Sequence, residues 1–600
     1  MNTLENCSRW SRINSDAAKE QERFRSRGVT LTWRDLSVYA MDRGRRNVCK
    51  QLIDNGYNLP TIRGLFTAQL LVHGDIRANG MSVDSSYMML NSGYMHQEDI
   101  FIETMTVIEH LWFMARMKLD DRSRRFNIRE RIDSLLQDVG LMDRRDVRIG
   151  NDVENKVLSG GEKKRLAFAT ELLTDPKILF LDEPTTGQDS HSAISLVFQL
   201  KSFAAQGRTV LCTIHQPSSA IFNSFDRIIL IAEGRVAFAG DTERALEFFA
   251  SQGYECPRNY NPADFLVAIM ATGSRTENGD GVARKVCDLF LNSEASKEID
   301  HIILEKENQS NHHHHHHPSN RERRCCSRLY WLVYRDFLQV LRDPSVQIVR
   351  ILQKLSVATI AGLCFVGSVN FDQLGIQATQ GVIFILVSEN AFFPMYATLA
   401  LIPQELPLIR REYRAGMYPI HLYYIARMLS LIPGLIVEPL LFTTIIYWLA
   451  GLRVSVEAFG LTLLVLLLTI NVSTACGCFF STAFESVPLA MAYLVPFDYV
   501  LMITMGPFLK LGSLPLYIRW VKYISWLLHS SETLTILQWS GVHNICKSYH
   551  LPCITEGLGV LQRYDFDETN FSTDLLLMVV IYLAFHVLGY LCLWNRCRWK

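Results

Sequence analysis

No glycine in this 600-residue chain is followed by lysine. The chain therefore has no G-x-x-x-x-G-K-[ST] loop, whose backbone wraps phosphates while its Lys neutralises them and its hydroxyl holds Mg²⁺. Net charge is missing as well, with 60 Lys and Arg against 60 Asp and Glu. That balance excludes the global basic field of a nucleic-acid binder. Met1 to Arg27 is polar and charged, which predicts no cleavable signal peptide. The 14 cysteines follow no metal-ligand spacing. Cys325–Cys326 and Cys476/Cys478 lie too close together for a four-ligand site and have no His partners. Most of them read as reduced thiols.

The charge that is present is uneven. The first half is rich in Arg, Asp and Glu, the second half is strongly apolar, and mean hydropathy is slightly positive. This predicts a soluble domain joined to a membrane domain. Two stretches carry the chemistry of the soluble part. In Leu158-Ser159-Gly160-Gly161-Glu162, Ser159 and Glu162 form an S-x-x-E capping box. Gly160 and Gly161 leave the first N–H groups of the helix uncovered, at the positive end of its dipole, so this is an anion site. Ile178-Leu179-Phe180-Leu181-Asp182-Glu183 reads as a buried parallel strand ending in carboxylates. The first can hold Mg²⁺ and the second can orient a water towards phosphate.

At this spacing the pair resembles the signature and Walker B motifs of ATP-binding-cassette proteins. Asn91 to Phe101 resembles the Q-loop, with Gln97 at its centre, and Thr185 to Ser190 resembles the D-loop around Asp189. Gln188 stands where Leu is usual, a departure that puts the subunit contact in doubt. His215 ends an apolar strand and matches the switch histidine. Asn261-Pro262-Ala263-Asp264-Phe265 is similar to a tract of the G subfamily, the White, Scarlet and Brown half-transporters, and V-H-G-D-I-R-A-N-G is similar to its Scarlet branch. The resemblance implies an α/β RecA-like cassette followed by an all-α six-helix transmembrane domain. It implies ATP and Mg²⁺ as cofactors, with Glu183 and His215 catalytic. Gln97, Ser159, Gly160, Gly161, Glu162, Asp182 and Asp189 would contact nucleotide, and Gln97 and Asp182 would ligate Mg²⁺. It implies a White-like half-transporter as heterodimer partner and no nucleic acid. The cargo would be a small molecule such as a tryptophan-derived pigment precursor. The membrane would be the plasma membrane or that of a pigment granule, with both termini cytosolic.

The cassette is apparently truncated. Between Lys50–Ile53 and Val72–Ile76 stand only Asp54 to Leu71, too few for a strand, a phosphate loop and a long helix. Either the subunit is degenerate or a segment has been lost by splicing or in the gene reading. The family-like flanks favour loss. In both cases this chain's own site should not bind nucleotide, whereas its signature can complete a partner's site. The rival expectation is a non-transporting, misfolded or regulatory product.

The expected organisation is a disordered 1–28, a cassette over 29–271, a linker over 272–324 holding His312–His317, a connecting helix over 325–345 and a membrane domain over 346–600. In the cassette, Tyr39 is a candidate to stack on adenine, or a half-buried strand residue. Phe225 to Gly240 reads as a hairpin turning at Glu233-Gly234. In the connecting helix Arg328, Arg335, Gln339 and Arg342 share one face, which predicts a helix lying on the membrane surface. Six spans are expected, near 347–368, 378–402, 423–449, 457–482, 486–508 and 574–594, with an exoplasmic loop over 509–573. Arg410, Arg411 and Arg414, and Arg596, Arg598 and Lys600, fall inside by the positive-inside rule. Glu389 and Asp498 are ionisable groups at membrane depth, so each faces a cavity or a partner. By resemblance Glu389, Asn390 and Phe393 would face the substrate; a helix-packing hydrogen bond is the alternative. Cys546 and Cys553, both outside, are expected to form a disulfide, and Asn570-Phe571-Ser572 is a glycosylation sequon.

Overall fold

The computed structural model describes residues 29–40, 70–83, 85–119, 128–150, 157–272, 281–309, 325–342, 344–507, 517, 519–543, 545 and 554–599. The expected disordered terminus, most of Asp54–Leu71, the His run and the Cys546–Cys553 pair lie outside them. The chain divides into two compact units, Met1–Arg323 and Arg324–Lys600.

In the first unit β1 (Leu31–Ala40) pairs antiparallel with β2 (Leu70–Ala78), which turns back into β3 (Met81–Ser82). Asn79 and Gly80 close that turn at φ 52° and 83°, the backbone a tight hairpin demands. Val29 and Ala78 pack on Ile178 of a second, parallel sheet. That sheet runs β4 (Ser92–Met95), β5 (Ile178–Asp182), β6 (Thr209–Thr213). The uninterrupted apolar run of β5 has no solvent face, so it takes the central place, with Leu179 wholly buried. On the outer edge of β6 no strand pairs among the described residues, and Leu211 is 39% exposed there. Of the helices α1 (Val107–Lys118), α2 (Ile128–Asp138), α3 (Gly160–Leu172) and α4 (Ser190–Ala205), α3 and α4 pack on the sheet, and α1 and α2 pack on α3. The hairpin of β7 (Ile228–Ala232) and β8 (Arg235–Gly240) turns at Glu233 and Gly234, both at positive φ, as the sequence led us to expect. Phe238 and Ala237 anchor it on Phe249 of α5 (Thr242–Ser251), Leu266 of α6 (Pro262–Thr272) and Phe290 of α7 (Val282–Leu291).

The second unit begins with α8 (Cys325–Arg342), followed by α9 (Pro344–Cys364), α10 (Gly375–Ala397), α11 (Leu401–Arg414), α12 (Ile420–Ala450), α13 (Val456–Ala483), α14 (Val487–Ile503), α15 (Trp526–Trp539) and α16 (Phe571–Trp599). Among the described residues, five helical stretches are long and apolar enough to cross a membrane: Gln347–Cys364, Gly375–Arg414, Ile420–Ala450, Val456–Ala483 and Glu568–Arg598. The sixth expected span is helical only as α14. Its 17 residues rise about 26 Å, short of the roughly 30 Å of hydrocarbon. Nor is 509–573 simply a loop, because α15 lies within it and buries almost every side chain. Two hydrogen bonds tie it to its neighbours in the bundle. Trp526 Nε1 donates to Ser473 Oγ at 2.8 Å, and Gln380 Nε2 to Thr535 Oγ1 at 3.0 Å.

On the expected surface helix the placement of one residue is corrected. Leu332, Arg335 and Asp336 form the buried face of α8, while Tyr330 and Leu341 are 63% and 60% exposed. Arg335, placed by its spacing on the shared polar face of that helix, is 2% exposed. Its Nη1 donates to both oxygens of Glu412, at 3.1 and 2.8 Å, and its Nε to Asp336 at 3.3 Å. The Tyr418 hydroxyl also donates to Glu412, and Arg427 pairs with Glu405 at 2.8 Å. Periodicity sorts residues by type; a carboxylate arriving from α11, 77 residues later, reverses the sorting.

Candidate functional site

The signature turn folds as its residue types dictate. Ser159 caps α3 from extended backbone (φ −67°, ψ 160°). Its hydroxyl accepts from the Glu162 N–H at 3.3 Å, and its own N–H donates to Glu162 Oε2 at 2.8 Å. Arg144 adds a bond to Glu162 Oε1 at 3.2 Å. Burial pushes the Glu162 carboxyl up, but the Ser159 donors with Arg144 and Arg165 outweigh it and hold the carboxyl below its usual range. Nothing approaches within 4 Å of a Cβ placed on Gly160, so the helix N-terminus is open on that side. Asp189 caps α4 by accepting from the Ser192 N–H at 3.0 Å, and hydrogen bonding to the Ser192 side chain and backbone holds its carboxyl below its usual range. Gln188 donates to the Pro184 carbonyl at 3.1 Å.

Three strands end together, because Met95 pairs with Leu181 and Asp182 with Thr213. Gln97, Glu183 and His215 follow those ends at the carboxyl edge of the parallel sheet, where such sheets bind ligands, and Gln97 and Glu183 meet there. Gln97 Nε2 donates to Glu183 Oε2 at 2.9 Å, and Thr186 Oγ1 to the same oxygen at 3.0 Å. Thr213 Oγ1 donates to Asp182 Oδ1 at 2.8 Å and receives the Glu183 N–H at 3.0 Å. Glu183 and Gln216 sit at φ 45°, strained for side chains of their size and found where strands turn into sites. The Tyr94 hydroxyl reaches Asp182 Oδ2 at 3.3 Å; burial and that carboxylate push its pKa up. His215 is exposed. Lys164 of α3 is 6% exposed, pairs with Asp99 at 3.3 Å and donates to the Gln97 carbonyl, which ties the signature helix to the Q-loop.

Sequence reading missed Thr213, Tyr94 and Lys164. Thr213 could have been found two residues before His215; Lys164 had no local signal. For Mg²⁺ and a triphosphate the donor set is incomplete. Gln97 and Asp182 offer oxygens that Mg²⁺ could use beside phosphate and water. The chain has no Gly-Lys loop to supply the remaining phosphate contacts. The arrangement can orient Glu183 and present bare amides at α3.

In the second unit Lys354 is 3% exposed and donates to the Glu389 carbonyl at 2.6 Å and its carboxylate at 3.3 Å. The Lys354 ammonium lies 5.0 Å from the Phe393 ring centroid and 5.1 Å from that of Phe442. Arg350 lies 5.3 Å from the Phe393 centroid and pairs with Glu438 at 3.4 Å. Asn390 is fully buried and donates to the Leu386 carbonyl at 2.8 Å. Asp498 accepts from the Tyr396 hydroxyl at 3.0 Å. The pair Arg350 and Lys354, four apart on the first span, was the overlooked signal for this cluster.

Residues 59–186 match the family model described as ABC transporter, and residues 327–539 and 215–290 match two models described as ABC-2 type transporter. The chain is 45% identical to Protein scarlet of Drosophila melanogaster over 95% of its own length and 90% of that protein. It is 36% identical to Protein white of Drosophila melanogaster, over 87% of this chain and 76% of that one. To the Broad substrate specificity ATP-binding cassette transporter ABCG2 of Bos taurus it is 33% identical, over 75% and 72%. The alignment to Protein scarlet runs over 600 residues yet takes in 95% of this chain. About 5% of its positions, roughly 30, therefore have no counterpart here.

Proposed function

Because the chain belongs to the ABC transporter family, among the half-transporters that include Protein scarlet and Protein white, we propose that it is the non-gripping half of an asymmetric heterodimeric membrane transporter. ABC transporters couple ATP, with Mg²⁺, to movement of a solute across a membrane. Here the partner's phosphate loop holds the working ATP, and Ser159, Gly160, Gly161 and Glu162 of this chain complete that site. The Gln97, Asp182, Glu183 and His215 edge faces a site that holds no nucleotide of its own. The observation that carries this is the open, capped N-terminus of α3 in a chain without a Gly-Lys loop. By the same resemblance the partner is White-like, the termini are cytosolic, and the cargo is a small tryptophan-derived pigment precursor. Glu389 and Phe393, beside the Lys354 cation, are its contacts in the membrane, with Asn390 packed behind them.

The test is ATP hydrolysis by the co-expressed heterodimer. A Cβ on Gly161 meets Ser192 Oγ at 3.6 Å, ordinary contact, so Gly161→Asp fits and acts by charge. It should lower hydrolysis roughly 100-fold or more, while Glu183→Gln leaves it nearly unchanged. Loss of activity in Glu183→Gln means that this chain holds ATP itself. A second reading, a product that assembles no working transporter, is favoured by the outer edge of β6, which no strand pairs among the described residues. Losing packed side chains costs about 2–5 kcal/mol each against a total stability of about 5–15 kcal/mol. Rapid limited proteolysis of the cassette would support it.

A further inference from the structure

Two arginines meet at one end of the membrane unit without a counter-charge. Arg596, near the end of α16, turns its Nη1 onto the carbonyls of Thr482 and Phe484, at 3.0 and 2.9 Å, and of Ser481 at 3.5 Å. It thereby caps the C-terminus of α13, a use of positive charge that the helix dipole favours. Arg410 of α11 follows it in and donates Nη2 to the Arg596 carbonyl at 3.3 Å. The Nε–H of each is buried and makes no hydrogen bond. Among the described residues no carboxylate pairs with either guanidinium, in contrast to Arg335, Arg350 and Arg427 of the same unit, each of which has one.

Two like charges held together in a junction of three helices repel each other unless something answers them. Depth indicates what that is. Trp594 is 38% exposed on α16, and the Arg598 guanidinium lies 5.1 Å from its ring centroid. An exposed Trp followed by arginines at the end of a long apolar helix marks the boundary between hydrocarbon and water. At that level the abundant anion is phosphate, and basic pockets between transmembrane helices take acidic head groups. Guanidinium is the side chain best shaped for it.

We propose that Arg410 and Arg596 form a seat for a phosphate group at the membrane boundary, filled by the head group of an acidic phospholipid. Arg596 also braces α13, so Arg410 is the residue to change. Native mass spectrometry of the full chain in detergent would count adducts after adding phosphatidylserine, phosphatidylcholine or inorganic phosphate. Wild type should retain phosphatidylserine over phosphatidylcholine, and Arg410→Gln should lower that preference about fivefold, the worth of one arginine near an acidic surface. Arg411→Gln, which removes a neighbouring charge from the same helix, should lower it less than Arg410→Gln does. Arg410→Lys keeps the charge and should keep the adduct, which guards against a fold defect in the first variant. Displacement of the lipid by millimolar phosphate would identify the phosphate alone as the ligand; persistence would assign the whole head group. Equal retention in wild type and Arg410→Gln overturns the proposal, as does equal loss in Arg410→Gln and Arg411→Gln.

Discussion

Replacing Arg335 by Met separates a solvated helix face from a buried ion pair. The side chains of Arg335 and Glu412 are 2% and 4% exposed, and one guanidinium nitrogen serves both carboxylate oxygens. Arg335→Met fills the same space but leaves Glu412 charged, with the Tyr418 hydroxyl still donating to it, beside a buried Asp336. Breaking one side of such a pair costs about 3–5 kcal/mol. For a unit of this size that is roughly 2 °C per kcal/mol, so a fall of about 6–10 °C in Tm. A solvated arginine would cost about 0.5 kcal/mol or less. The assay is scanning fluorimetry of the purified full chain in detergent, read for wild type, Arg335→Met, Glu412→Gln and the double variant. The double variant removes both charges, so it should be less damaged than the sum of the singles, with a coupling of about 2 kcal/mol. If the singles add to within about 0.5 kcal/mol, or Arg335→Met melts with wild type, the reasoning fails.

The same cluster predicts a pH effect. Burial pushes the Asp336 carboxyl up, against the pull of Arg335 and Arg427, and its Oδ2 has no hydrogen-bond partner. A carboxyl raised by folding stabilises the protein below its unfolded pKa, and that contribution is lost as pH rises through the folded value. At pH 7.5 the charge is therefore a burden, so Asp336→Asn should raise Tm by about 2 °C or more. The gain should shrink as the buffer is taken towards pH 5. The sequon at Asn570 yields another expectation. Asn570 Nδ2 donates to Glu532 Oε1 at 3.0 Å, and α16 begins at the next residue. A glycan would displace that bond, so the mature chain should run unchanged on a gel after glycosidase treatment.

Much of the cassette edge was legible because its signals are local. The capping box needs only Ser159 and Glu162 three apart, and it forms as written. The β5 run and the Glu233-Gly234 turn are set by hydropathy and by backbone freedom within a few residues. The absence of a Gly-Lys pair is a property of the sequence that no folding can alter. The membrane boundaries were legible only in part. Apolar length identifies a span, but it could not say that α14 stops at Ile503 or that α15 is buried inside the bundle.

Tertiary structure alone decided which charges are answered. Arg328, Arg335, Gln339 and Arg342 are alike in spacing, yet α8 turns Arg335 inward, because Glu412 comes from another helix to neutralise it. Lys354 and Glu389, 35 residues apart, find each other in the same way, whereas Arg410 and Arg596, 186 apart, meet no carboxylate among the described residues. The physical reason is one of range. Caps, turns and apolar periods act within a turn or two of chain, so composition encodes them. The energy of a buried charge depends on the dielectric and the partners around it, and these come from segments brought together only when the chain folds.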